Sequence, residues 1–158
     1  MAPSSPPGSP RAIACIAFGL LALLTALLLL ICATGCGESL PAQRARLLDA
    51  DGNVQLELEI AIAETEYERQ EGLRLHGPLA EDEALLLVFP KEAQVCITNT
   101  GVPFPIHVLY ISATHQVTAI QPRVPPNAPG PYCHPAQLAL ELRGDTLAPF
   151  NYAKLELF

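Results

Sequence analysis

Residues 95–112, VCITNTGVPFPIHVLYIS, organise the fold of this chain. The stretch contains a cysteine, an Asn-Thr pair, two prolines and a histidine, and it continues as an apolar run. Pro103 and Pro105 lack a backbone N–H and fix their own φ angle, so neither can donate to a β-ladder. The pattern therefore predicts a rigid loop over residues 99–105, flanked by strands at residues 94–98 and 106–112.

The preceding residues indicate a β-hairpin. Residues 44–49 and 54–63 flank Asp51 and Gly52, and an Asp-Gly pair is a strong signal for a hairpin turn. Apolar side chains occupy every second position of the second arm from Val54 to Ile62, and Gln55, Glu57 and Glu59 lie on the other face. This period of two is typical of a half-buried antiparallel strand.

One short helix is predicted after the hairpin. Thr65 precedes residues 66–71 with Glu68 three positions later, which is the capping-box pattern, and Gly72 is expected to end the helix. Residues 73–83 indicate an irregular connection. Its acidic residues 81–83 are interpreted as solvated surface charge rather than as a metal site.

The rest of the chain predicts further short strands. Residues 84–89 are an apolar run of the length of a buried strand, which Pro90 is expected to end. Residues 122–135 contain six prolines in 14 positions and predict an extended loop. The remaining predicted strands cover residues 117–121, 137–142 and 154–157.

Length and composition limit the classes of function. The chain has 158 residues, and about 120 remain after the N-terminal targeting segment, which is the size of one domain. Strands at short intervals with one helix predict a mainly β (α+β) fold, a compact small barrel or sandwich of antiparallel strands. The formal net charge is -7, with 16 acidic residues against 9 Lys and Arg. Nucleic-acid binding is disfavoured because a phosphate-binding face requires a basic patch.

The N-terminal residues 1–36 predict attachment to a membrane. Residues 12–33 form an apolar run of 22 residues without a charge, and about 20 suffice to span a bilayer. The run ends in Ala33, Thr34, Gly35 and Cys36, which resembles a bacterial lipobox, where the cysteine is lipidated after cleavage. Two interpretations stay open, a lipoprotein anchored through Cys36 and an uncleaved single-span anchor.

Both interpretations place the domain outside the cytoplasm. Arg11 is the charge that flanks the N-terminal end of the apolar run, so the positive-inside rule keeps that end cytoplasmic. The expected location is the bacterial cell envelope, facing the periplasm or the outside. Residues 37–45 are interpreted as a tether, and residues 46–158 as a single β-rich domain.

Two groups of residues resemble a known family. Residues 68–73, ERQEGL, with residues 79–89, LAEDEALLLVF, resemble the family segment E-R-x-x-G-L-M and its downstream L-P-E-D-E-G-M-L-F-V-F. Asn99 and Thr100 with residues 105–110, PIHVLY, look like its N-T and P-[IL]-D-[VI]-[VL]-F motif. The chain thus resembles the bacterial domain of unknown function family 192 (DUF192), over residues 54–157. The resemblance implies a compact, mostly β domain that is often exported and has no established activity.

The chain departs from the family pattern at positions that could carry chemistry. His107 stands where an aspartate is typical, and Cys96 stands near a position that is often aromatic. Arg74 and His76 stand where the family usually has methionine and arginine. A ligand chemistry inherited from the family therefore does not follow from the resemblance.

Four side chains form the candidate chemistry. Cys96 and Cys133 are predicted to form a disulfide, because paired cysteines in an oxidising compartment are more often bonded than free. Two reduced cysteines are one alternative. A metal site would use Cys96, His107, Cys133 and His134, and a thiol enzyme would pair Cys96 with His107 as its base.

The candidate pocket consists of Asn99, Thr100, His107 and Tyr132. Asn99 and Thr100 are expected to hold the loop through local hydrogen bonds, and Tyr132 could line a groove between the two proline-containing loops. No catalytic residue, metal or cofactor is assigned. The sequence therefore predicts an envelope-anchored, non-catalytic binding or structural module for an unknown small molecule or protein, with a metal-handling protein or thiol-dependent enzyme as the alternative.

Overall fold

The structure is a computed structural model that describes residues 43–146 and 151–158. The elements are β1 (Gln43–Leu48), β2 (Val54–Ala63), α1 (Glu66–Glu71), a 3-10 turn (Gly72–Leu75), β3 (Glu83–Ile97), β4 (Ile106–Ile111), β5 (Val117–Val124), β6 (Tyr132–Arg143) and β7 (Lys154–Leu157). This confirms the predicted mainly β class with one short helix. The apolar run, the lipobox and residues 37–42 of the tether lie outside the described residues.

All of these strands join one seven-stranded sheet. Its order is β5-β4-β6-β3-β2-β1-β7, and every neighbouring pair is antiparallel except β2 and β3. The two edge strands approach each other, because Gln116 pairs with Lys154 and Leu155 N donates to His115 O at 2.9 Å. The sheet therefore curls into a half-barrel, and α1 lies on the crossover that joins the parallel pair.

The sheet is buried on both faces where β3, β4 and β6 lie side by side, whereas Glu57 and Glu59 of β2 are exposed. The inner face collects side chains from strands at opposite ends of the sheet order, among them Leu47, Leu58, Ile60, Leu86, Leu109, Leu140 and Leu155. The outer face is covered by the 3-10 turn and by loops, and its core includes Leu73, Leu87, Val102, Val108, Tyr110 and Ala128. Since side chains alternate between faces along a strand, neighbouring residues of β3, β4 and β6 belong to different cores.

The predictions for β2 and for the short helix are confirmed. β2 covers residues 54–63 as predicted, and α1 ends at Glu71 as predicted. Thr65 Oγ1 accepts from Glu68 N at 3.2 Å, and Glu68 Oε2 accepts from Thr65 N at 2.9 Å, which completes the capping box. β1 begins at Gln43, within the segment assigned to the tether. None of the helices in the described ranges is long and apolar enough to cross a membrane.

Pro90 does not end a strand, contrary to the prediction. β3 continues through it to Ile97, so the two predicted strands at residues 84–89 and 94–98 are one element. The ladder with β6 is irregular between Val88 and Ala93. A proline is tolerated there because such an irregularity leaves its missing donor outside the ladder.

The predicted loop at residues 122–135 is also too long. β5 extends to Val124 and β6 begins at Tyr132, so the loop covers residues 125–131. Pro122 lies on an edge strand, and Pro135 lies in the part of β6 that pairs with β3 but not with β4. Both positions have one unpaired side, where a proline costs no ladder hydrogen bond.

Candidate functional site

A carboxyl group lies buried in the middle of the outer face. Glu141 on β6 pairs with Leu85 of β3 on one side and with Val108 of β4 on the other. Directly paired residues project from the same face, so the carboxyl group lies among apolar side chains, and Glu141 is 4% exposed. Its Oε2 has no hydrogen-bond partner among the described residues.

Gly72 lies next to this carboxyl group. It ends α1 with a φ of 49°, in the left-handed region that favours glycine. A Cβ placed on Gly72 would lie 3.9 Å from Glu141 Oε2. The carboxyl group therefore reaches up to the junction of α1 and the 3-10 turn.

A cleft of about 420 Å³ opens between α1 and the outer face, with Glu141 in its lining. Its charged residues are Glu66, Arg69, Glu71, Arg74 and Glu141. Its apolar residues are Leu73, Leu87, Phe89, Ile97 and Val102. This volume lies within the range of about 300–1,000 Å³ that is usual for small-molecule sites.

The buried position changes the acidity of Glu141. Burial raises its pKa to about 7, and the positive charge of Arg74 acts in the opposite direction. Burial and the negative charge of Glu141 raise the pKa of Tyr110 to about 12. The Tyr110 hydroxyl donates to Tyr132 O at 2.5 Å, so its proton is directed away from the Glu141 carboxyl group.

The two arginines of the cleft are held by backbone carbonyl groups. Arg69 Nη1 donates to Val88 O at 2.9 Å and to the carbonyl of Glu64, and its guanidinium lies 5.3 Å from the Phe89 ring centroid. Arg74 Nη1 donates to Thr100 O at 3.0 Å. These contacts fasten α1 and the 3-10 turn to β3 and to the loop at residues 99–105.

Asn99 connects the two proline-containing loops. It is fully buried, and its Nδ2 donates to Phe104 O and Pro125 O, both at 2.9 Å. Thr100 Oγ1 donates to Ala128 O at 3.3 Å. The bond to Phe104 O lies within the loop, as the sequence predicts for the pair, whereas the bonds to Pro125 O and Ala128 O reach the other loop. Asn99 also lines the cleft, and its buried Oδ1 has no hydrogen-bond partner among the described residues.

The structure does not bring His107 to the other candidate pocket residues. His107 pairs with Leu142 and therefore lies on the inner face, where its Nδ1 accepts from Arg123 N at 3.0 Å. Its pKa is lowered, first by burial and then by the charge of Arg123, while hydrogen bonds with the Thr146 and Gly144 backbone act oppositely.

Tyr132 lies at the other end of this region. It is half-buried opposite Ile97 and packs against the outer-face core. Of the four candidate pocket residues, only Asn99 lines the cleft.

Cys96 and Cys133 face each other across β3 and β6, and their Sγ atoms lie 2.15 Å apart, at disulfide bonding distance. His107 is opposite Leu142, nine positions along β6 from Cys133, which is about 30 Å of extended strand. The geometry therefore contradicts both a nucleophile and base pair of Cys96 with His107 and a single metal centre that includes these three residues. No group of three His, Cys, Asp or Glu side chains suited to a metal occurs within residues 43–146 and 151–158.

Glu141 is not among the site residues that the sequence predicts. Leu138, Leu140 and Leu142 alternate with it, which is typical of a strand whose other face is exposed to solvent. The local pattern does not distinguish Glu141 from an exposed strand carboxyl group, because Glu59 of β2 is exposed although Ala61 lies two positions along on the same face.

The fold and the cleft define a class, a small curled β-sheet domain with a crossover helix above a ligand-sized cleft. The chain belongs to DUF192, described as "Uncharacterized ACR", and the family model matches residues 47–154. This confirms the resemblance that residues 68–89 and 99–110 indicate. No curated protein matches the chain.

Two crystal structures are similar to this fold. One is a "putative transcription regulator" from Sinorhizobium meliloti 1021, with 23% identity, a TM-score of 0.68, and 77% of this chain and 97% of that chain covered. The other is a protein of unknown function from Novosphingobium aromaticivorans DSM 12444, with 17% identity, a TM-score of 0.62, and coverage of 72% and 83%. At these identities the likeness extends to the fold.

Proposed function

We propose that this chain is a non-catalytic binding module of the bacterial cell envelope, which takes a small molecule into the cleft between α1 and the outer face. Its N-terminal segment attaches it to a membrane, either through a lipid on Cys36 or as a single span. The domain then faces the periplasm or the outside of the cell.

The observation that carries the binding function is the unpartnered oxygen of Glu141. Leaving a buried acceptor without a hydrogen bond costs about 1–3 kcal/mol, and more for a charged group. Most buried polar atoms in folded proteins have a partner. A ligand in the cleft supplies that partner, and the raised pKa of Glu141 inside a cleft supports a functional site.

Binding is better supported than catalysis. General acid–base or nucleophilic chemistry uses a second reactive group within hydrogen-bond reach. The reactive side chains that line the cleft beside Glu141 are engaged, because Cys96 lies at bonding distance from Cys133, Glu71 Oε2 lies 3.5 Å from Arg74 Nε, and Glu66 Oε1 accepts from Gln70 Nε2 at 3.0 Å.

A fragment panel tests the binding function. Cationic, neutral and anionic fragments are titrated into the isotope-labelled full chain in detergent, and backbone amide signals are followed by NMR. At least one class is expected to shift the signals of Gly72, Leu73 and Asn99 in a saturable way. Shifts confined to other parts of the domain, or none from any class, would contradict a binding role for this cleft.

Export and anchoring need a separate test. Mass spectrometry of the mature chain, recovered from membranes, is expected to show either a diacylglyceryl group on an N-terminal Cys36 or an intact N-terminal segment. The variant Cys36→Ser separates the two, because it blocks lipidation, while Cys32→Ser is the matched control. A soluble cytoplasmic chain without either feature would refute the anchoring proposal.

A further inference from the structure

We propose that the ligand is a small organic monocation, an ammonium group on a short apolar body, whose N–H groups donate to the Glu141 carboxyl group. This inference rests on the proposed binding function and adds the chemical class of the ligand.

Hydrogen-bond donors that line the cleft have acceptors within the domain, whereas two of its buried acceptors lack donors among the described residues. The guanidinium groups of Arg69 and Arg74 donate to backbone carbonyl groups, and so does the Asn99 amide nitrogen. In contrast, two buried acceptors, Glu141 Oε2 and Asn99 Oδ1, have no hydrogen-bond partner in the described part of the chain. A complementary ligand therefore supplies donors, and an ammonium group has three donors and no acceptor.

The charges of the lining favour the same class. Arg69 and Arg74 are opposed by three glutamates, Glu66, Glu71 and Glu141, so the ionised lining has one negative charge in excess. Arg74 Nε already lies 3.5 Å from Glu71 Oε2. A monocation neutralises the remaining charge, whereas an anion would place a like charge beside a buried carboxylate.

The apolar residues that line the cleft indicate the chemistry of the ligand beyond its ammonium group. Leu73, Leu87 and Phe89 line the cleft with Ile97 and Val102, and the cleft has a volume of about 420 Å³. Apolar contact removes ligand surface from water and adds to affinity. The ammonium group is therefore expected on a body of at least a few carbon atoms, which a fully hydrated inorganic cation lacks.

Binding of a cation is linked to the protonation of Glu141. The charged or titratable groups that face it are Arg74 from the 3-10 turn, Tyr110 from β4, and Glu66, Arg69 and Glu71 of α1 around the same cleft. Because the pKa of Glu141 is about 7, the affinity for a cation should increase as the pH rises through that value. A neutral ligand has no charge to complement the ionised carboxylate and lacks this increase.

Three probes of equal size test the charge of the ligand, namely butylamine, butan-1-ol and butyrate. Each is titrated at about pH 8 into the full chain, and the amide signals of Gly72 and Asn99 report binding. Butylammonium is expected to bind at least about tenfold more tightly than butan-1-ol, since hydrogen bonds between charged groups are the stronger ones. Butyrate is expected to bind most weakly.

Two variants distinguish the effect of the Glu141 carboxylate from that of a carboxylate elsewhere on the domain. Glu141→Gln should lower the affinity for butylammonium roughly 10- to 100-fold and leave that for butan-1-ol unchanged. Glu59→Gln, an exposed carboxyl group of β2 outside the cleft, is the matched control and should leave both unchanged. If Glu141→Gln does not fold, the wild-type pH profile decides, and a butylammonium affinity that stays constant between about pH 6 and 8 refutes the proposal.

The possible failures are distinguishable. Equal affinity for the amine and the alcohol, or tighter binding of butyrate, would overturn the cation and leave the binding module intact. Absence of binding by these probes and by every class in the fragment panel would overturn the proposed function itself.

Discussion

Glu141 and His107 lie on adjacent strands, almost side by side, and yet their environments differ. His107 pairs with Leu142, the residue after Glu141, so the two side chains project from opposite faces of the sheet. Both are nearly inaccessible, at 4% and 1% exposure. Burial favours the neutral form of both side chains. It therefore raises the pKa of Glu141 to about 7 and lowers the pKa of His107.

The difference lies in their hydrogen bonds. His107 Nδ1 accepts from Arg123 N, so its ring joins β4 to the end of β5. Glu141 lines a cleft, and its buried Oε2 has no hydrogen-bond partner within the described residues. Burial and a shifted pKa therefore do not by themselves identify a ligand site. An unsatisfied polar atom beside an open volume is the more specific sign.

The largest loss of stability is expected from removing the His107 ring, which accepts a hydrogen bond from Arg123 N. His107→Ala should lower the free energy of unfolding by about 4 kcal/mol, because it leaves a cavity and an unpaired Arg123 N–H. Chemical denaturation of the full chain measures this value. His76→Ala, at a partly exposed position, is the control and should change stability by less than about 0.5 kcal/mol. Equal effects of the two variants would remove the structural role given to His107.

Close packing near His107 gives the next largest effect. A Cβ placed on Gly144 would lie 2.5 Å from the carbonyl carbon of Pro105, and Gly144 N donates to Pro105 O at 2.8 Å. Gly144→Ala should therefore cost about 3 kcal/mol, because backbone must move. Gly52→Ala is the comparison, since no atom lies within 4 Å of its Cβ position and backbone strain alone acts there. The two are compared by thermal unfolding, and the prediction fails if Gly52→Ala is the more destabilising.

The pH dependence of stability should separate Glu141 from His107. A carboxyl group whose folded pKa is about 7, against an ordinary 4.5, binds its proton more tightly in the folded state. Protonated Glu141 therefore adds about 3 kcal/mol to the free energy of unfolding below about pH 4.5. This stabilisation is lost as the pH rises through 7. His107, with a lowered pKa, acts in the opposite direction and loses stability as the pH falls below about 6.5.

Urea unfolding of the wild type and of Glu141→Gln between about pH 4.5 and 8 measures the first of these effects. The difference between the two chains should change by about 3 kcal/mol across this window. A constant difference would show that the Glu141 carboxyl group is solvated in the folded state.

Asn99 combines both situations in one side chain. Its Nδ2 donates to Phe104 O and Pro125 O, so this atom has partners, as His107 Nδ1 does. Its Oδ1 resembles Glu141 Oε2, because it has no hydrogen-bond partner among the described residues. Asn99→Ala should destabilise the domain by about 2 kcal/mol, because two buried carbonyl groups lose a donor. Asn99→Asp keeps the oxygen and loses the donors, so it should be no more stable than the alanine variant. An Asp variant as stable as the wild type would contradict this account.

Local patterns explain which parts of the fold the sequence could predict. The alternation in β2, the capping box at Thr65 and the stiff loop at residues 99–105 depend on neighbours within a few positions. The predictions at Pro90 and Pro122 are wrong, because whether a strand tolerates a proline depends on which strands lie beside it. That information is absent from a local window.

The candidate site required the tertiary structure for the same reason. Leu138, Leu140 and Leu142 assign Glu141 to the face opposite the leucines, but only the crossover through α1 shows that this face is also covered. The sequence predicts that Asn99 holds its loop by hydrogen bonds, and its Nδ2 donates to Phe104 O and Pro125 O. His107 departs from the family pattern, and in the structure it has a backbone partner on the other face.

The most direct test is the pKa of the Glu141 side chain, measured by carbon-13 NMR of its carboxyl group in the full chain. We expect a midpoint of about 7 and a lower midpoint once butylammonium saturates the cleft, because the bound cation favours the carboxylate. A midpoint near the ordinary value of 4.5 that butylammonium does not change would refute a ligand site formed by a buried and unpartnered carboxyl group.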